Sequence, residues 1–228
     1  MARMSSANPQ LLRSLGKLAR GLSALFWGLP AALLIGVETA QTDWLKPLGF
    51  LPGLAVNALL LYGLWQMAAF QRQERPWRQA LDRAQLLALV LLGLCPFVYW
   101  HNKLPEQDFF ADAVWVLELA AVLFLFNLNL VLRRLGAMLP DETLRSETRQ
   151  FTAFNRWLLV LLLLLVIAIT VFAQLPQPSP AVGRVLIWIN RASSLLLVFF
   201  ILLPLAMTMA LIWKTKEVIL DAVFGARG

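Results

Sequence analysis

The sequence predicts an all-α integral membrane protein. It has six transmembrane helices, both termini in the cytoplasm, and an N-terminal amphipathic helix lying in the membrane interface. Three observations carry this prediction. Hydrophobic residues make up 60% of the 228-residue chain and charged residues 14%. An ordinary soluble domain has roughly 45–50% and about 25%. The mean hydropathy is +0.70, and the apolar residues are gathered into six long blocks. The basic residues fall almost entirely in alternate gaps between those blocks.

The first element is amphipathic. At 100° per residue, Leu11, Leu15, Leu18 and Leu22 lie within about 60° of one another, opposite Arg13, Lys17 and Arg20. Asn8-Pro9 supplies a cap and a first-turn proline, so residues 8–20 are read as an interfacial helix.

Six spans follow, at about 21–39, 51–70, 84–100, 113–132, 157–175 and 192–213. Helices are required because every backbone N–H and C=O in lipid must be paired within its own segment. The third span is short but ends on Tyr99 and Trp100, a natural interfacial anchor. The first is not read as a cleaved signal peptide. Its apolar run is too long, and Glu38 stands where a cleavage site before Gln41 needs a small residue.

The gaps are organised simply. Segments 71–83 and 133–156 form the two cytoplasmic loops. Within the second, Pro140-Asp141-Glu142 reads as a helix start, with Asp141 as cap, that runs into the fifth span. The turn Pro176–Pro180 precedes a second amphipathic stretch, Val182–Asn190, on the outer side. The tail Lys214–Phe224 continues the sixth helix until Gly225. Residues 1–228 therefore form a single membrane domain.

Charge sets the orientation. Sixteen of the twenty Lys and Arg lie in 1–20, 71–83, 133–156 and 214–228, alongside seven acidic residues. The positive-inside rule places those four segments in the cytoplasm. A basic face of this kind meets anionic lipids and needs no nucleic acid to explain it. Trp44, Trp100, Trp115 and Trp188 fall near outer ends, and Trp65, Trp77, Trp157 and Trp213 near inner ends, as interfacial indoles do. The composition points to a bacterial inner membrane.

Few residues can carry chemistry. One cysteine, Cys95, and one histidine, His101, rule out an intrachain disulfide and a metal site built from those two residue types within one chain. They sit six residues apart, well off a common helix face. No phosphate loop, nucleophile elbow or zinc motif is present, and no cofactor is expected. Intramembrane polar groups are functional candidates by default. Glu118 is foremost, with Asn57 expected at similar depth, Asn129 on the same helix face and Glu38 at the outer end of the first span. The competing reading makes them interhelical hydrogen-bonding groups. Arg72, Arg75, Arg78, Arg83, Arg133 and Arg134 are candidate contacts for a cytoplasmic partner or anionic lipid. Pro30, Pro96 and Pro204 each remove a helical hydrogen bond within a span. Small residues (Ala31, Ala32, Gly36, Ala120, Ala121, Ser193, Ser194) would let helices approach closely.

Leu92-Gly93-Leu94-Cys95-Pro96-Phe97 resembles a stretch in the six-span subunits of the ion-pumping RNF and NQR electron-transfer complexes. There, cysteines from paired subunits hold an iron–sulfur centre. The resemblance covers six residues, and the second cysteine such a subunit would contribute is absent, so no role is carried over. In layout alone, the chain resembles the permeases of the ABC-2 class, which work with a separate ATPase. Three functions follow as expectations: a non-catalytic subunit of a larger membrane complex, a small transporter or channel, and a lipid-modifying enzyme. The first ranks highest, because the chain offers protein partners or further copies of itself little except helix faces.

Overall fold

The computed structural model describes residues 9–41, 46–71, 73–139, 142–173 and 180–224, with side chains over 13–40, 47–71, 73–139, 145–165 and 199–221, and at 167, 168 and 171. It is all-helical, 92% helix, with no strand among the described residues. The helices are α1 (Pro9–Gln41), α2 (Leu51–Met67), α3 (Arg75–Lys103), α4 (Asp108–Met138), α5 (Glu142–Ala173) and α6 (Pro180–Phe224). Four segments are long and apolar enough to cross a membrane: Arg13–Ala40, Arg75–Lys103, Asp108–Met138 and Phe199–Asp221. α2 is apolar but has only 17 residues. These are the helices of a membrane-spanning protein.

The bundle divides into two three-helix groups. α1, α2 and α3 pack on one another, as do α4, α5 and α6. The groups join along α3–α4, the most extensive pairing, and along α1–α6. α2 and α4 are not packed as neighbours.

Several helices run further than hydropathy indicates. α1 starts at Pro9 and continues unbroken through the first span. Leu18, Leu22, Leu25 and Leu29 form one fully or nearly buried stripe on it, while Arg13, Lys17 and Arg20 are exposed. The amphipathic segment expected as a separate interfacial helix is thus the first part of α1, and Leu18 and Leu22 cover other helices rather than lipid. α3 begins inside the basic segment 71–83. The stretch Val182–Asn190, expected as a separate outer element, is part of α6. α5 runs from Glu142 into the expected fifth span; Asp141 lies outside the described residues.

Glycine sets the closest approach. A Cβ on Gly21 would lie 2.5 Å from the Gly63 carbonyl oxygen, and one on Gly63 would lie 2.9 Å from the Gly21 carbonyl oxygen. α1 and α2 cross there with their backbones in contact, which only hydrogen side chains allow. Gly28 repeats the contact seven residues on, against Leu60. Gly36, an expected packing residue, has open space around it. Ser193 and Ser194 lie outside the described side chains.

The turn between α2 and α3 is fixed by Trp77. Its indole is fully buried, donates to the Phe70 carbonyl oxygen at 3.1 Å, and meets the Phe70 ring edge to face. Gln71 beside it has φ 40°, a left-handed conformation that costs a residue with a side chain about 1 kcal/mol. Trp77 is therefore a structural plug and not the interfacial indole expected from its position. Trp65, Trp157 and Trp213 do project outward, at 74%, 75% and 54% exposure. Trp44 and Trp188 lie outside the described side chains.

Candidate functional site

The most polar buried region lies where α4, α5 and α6 meet. On α5, Thr148, Thr152 and Asn155 recur at four- and three-residue spacing, which puts them on one face. Leu159 and Leu162 continue the same buried stripe. α4 contributes Asn129 and Gly136, and α6 contributes Thr208 and Thr215. Asn129, Asn155, Thr208 and Thr215 are all 0% exposed.

Hydrogen bonds join the centre of this seam. Asn155 Nδ2 lies 3.0 Å from Asn129 Oδ1, 3.0 Å from Thr208 Oγ1 and 3.2 Å from the Pro204 carbonyl oxygen. Asn129 Nδ2 donates to Thr208 Oγ1 at 3.0 Å and to the Leu125 carbonyl oxygen at 2.8 Å. Thr208 Oγ1 donates to the Pro204 carbonyl oxygen at 2.7 Å. One Thr and two Asn side chains thus tie three helices together. Asn155 Oδ1 is buried without a hydrogen-bond partner among the described residues.

Toward the loop end of the seam, Gly136 lets α5 close on α4: a Cβ there would lie 3.2 Å from Thr148 Oγ1. Thr152 and Thr215 bond back to carbonyls of their own helices. Beyond them, Lys214 pairs with Glu147 across α5 and α6, both about 40% exposed. The Arg156 guanidinium lies over the Phe126 ring at 5.1 Å, a further α5–α4 contact.

The residues predicted as one polar site are not brought together. Asn129 is in the seam. Glu118, on the same face of α4 three turns away, is exposed and has no hydrogen bond among the described residues. Asn57 belongs to the other three-helix group, where its Nδ2 donates to the Gly53 carbonyl oxygen at 2.9 Å and its side chain lies beside Cys95. Asn57 and Glu118, expected at similar depth, are not neighbours, because α2 and α4 belong to different helix groups. Glu38 is half-buried near the end of α1. The Cys95 thiol bonds to the Leu92 carbonyl oxygen at 3.3 Å and is nearly buried. Arg75, Arg78, Arg83, Arg133 and Arg134 are exposed; Arg72 lies outside the described residues.

Asn155, Thr148, Thr152 and Thr208 were not singled out by sequence reasoning. For the three on α5 the signal is their stripe, which crosses the expected boundary between loop and span at Trp157; Thr208, on α6, lies inside an expected span.

Among the described residues, no group of three or more His, Cys, Asp or Glu side chains could hold a metal ion. Compared with known proteins, the chain matches no family, no curated protein and no solved structure.

Proposed function

We propose that this chain is a non-catalytic subunit of a larger complex in a bacterial inner membrane, crossing the bilayer six times with both termini in the cytoplasm. The observation that carries the reading is how the buried polar groups are used. Asn129, Asn155 and Thr208 bond chiefly to one another and to backbone carbonyls. They hold three helices together and are occupied in doing so. Among the described residues, Glu118 stands exposed on α4 outside this network. An ionisable side chain in that setting finds a partner on another helix.

A second reading rests on the same residue. Glu118 presents a carboxyl group on an exposed face of α4, which would suit the ion- or proton-binding group of a small transporter or channel, including an ABC-2-like permease served by a separate ATPase. The enzymatic reading has no catalytic constellation behind it.

Gentle solubilisation of tagged protein from its native membrane tests both. Foreign chains in fixed ratio support the subunit reading, and an ATPase among them favours the permease. A homogeneous preparation containing this chain alone overturns the subunit reading.

A further inference from the structure

Outside the seam, the most distinctive surface lies on the free side of α5. Arg145, Ser146, Arg149, Gln150 and Ala153 line a shallow, open concavity of about 630 Å³. All five are exposed. Ala153 contributes the smallest side chain to its lining. The Arg145 guanidinium donates to the Ala137 carbonyl oxygen at 2.8 Å, which fixes its direction and leaves its other N–H groups for a ligand. Neither arginine is ion-paired among the described residues, and the nearby Glu147 is held by Lys214.

The surface changes character along the helix. One turn below Ala153 stands Trp157, 75% exposed, followed by exposed Leu161 and Leu164. Phe151 and Phe154 are exposed beside them. A basic pair, then aromatic rings, then leucines is the order in which a bilayer presents phosphate, headgroup boundary and acyl chain.

We propose that this face of α5 is a binding site for an anionic phospholipid. Arg145 and Arg149 hold the phosphate, Gln150 reaches the headgroup, and an acyl chain lies along Trp157, Leu161 and Leu164. Guanidinium groups suit a phosphate because they can donate two parallel hydrogen bonds. A soluble polyanion would use the arginines but leave the apolar strip below them bare. The inference stands whichever side of the membrane this end of α5 occupies, and it is independent of the subunit reading.

The test is titration of the whole protein, in phosphatidylcholine nanodiscs, with phosphatidylglycerol, counting bound lipid by native mass spectrometry. Arg149→Gln should weaken phosphatidylglycerol binding about fivefold, the worth of one arginine at a charged lipid surface. Ala153→Leu, which fills the groove without changing charge, should weaken it comparably. Thermal midpoints in phosphatidylcholine alone identify any variant that fails to fold; the other then decides. Equal binding by wild type and a folded variant overturns the site. So does an equal loss from Arg75→Gln/Arg78→Gln, which would mean diffuse attraction. Saturation by millimolar inorganic phosphate that blocks phosphatidylglycerol uptake, without dependence on Trp157, overturns the lipid assignment.

Discussion

Asn155 Nδ2 lies 3.0 Å from Asn129 Oδ1, a side-chain hydrogen bond between α5 and α4 with both residues fully buried. Replacing Asn155 with leucine leaves the buried Asn129 Oδ1 without its donor, and replacing Asn129 removes one of the three acceptors around Asn155 Nδ2. Asn155→Leu is expected to lower unfolding stability in detergent by about 1–2 kcal/mol. Asn129→Leu/Asn155→Leu should cost less than the sum of the two single changes. Simple additivity in that double-mutant cycle would show that the pair is not coupled.

Backbone contact at Gly21 and Gly63 gives a second expectation. Gly21→Ala places a methyl 2.5 Å from the Gly63 carbonyl oxygen, so α1 and α2 must separate. Overpacking of this kind costs about 1–3 kcal/mol. Gly36→Ala, with nothing within 4 Å of the new methyl, is the matched control and should be neutral or slightly stabilising. Thermal midpoints of the two variants decide; equal midpoints would contradict the close crossing.

Glu118 separates stability from assembly. Its carboxyl group has no hydrogen bond among the described residues. Glu118→Gln should leave the isolated protein's stability within about 0.5 kcal/mol of wild type. In native membranes the same change should reduce recovery of partner chains. Unchanged recovery would remove Glu118 from the proposed interface.

Topology can be read with single cysteines. In a Cys95→Ala background, a cysteine at Gln73 should react with an impermeant thiol reagent only after the membrane is opened. One at Glu106 should react in intact cells or spheroplasts. Labelling of both from the same side would overturn the proposed six-span arrangement.

The helices were legible because lipid demands long apolar runs. Their true lengths were not, because hydropathy marks the part of a helix that meets lipid, not the part that is hydrogen-bonded. Leu18 belongs to α1 and Arg75 to α3 for that reason. The same limit hid Asn155, which falls just before the apolar run at Trp157. Asn129 was legible as an intramembrane polar group, but its partners were not, since sequence gives a residue's depth and not the helix beside it. Asn57 and Glu118 illustrate the converse: similar expected depth, separate helix groups. Gly21 and Gly63 were missed as packing residues because nothing local distinguishes them from Gly36.

The three-helix seam also bears on how the protein is made. α4 leaves the ribosome before α5 and α6 exist, so Asn129 first meets the bilayer without Asn155 or Thr208. Until α6 arrives, this amide is a sticky group on a half-built chain. A chain truncated before Pro180 lacks Thr208 and the Pro204 carbonyl, so it never completes the seam.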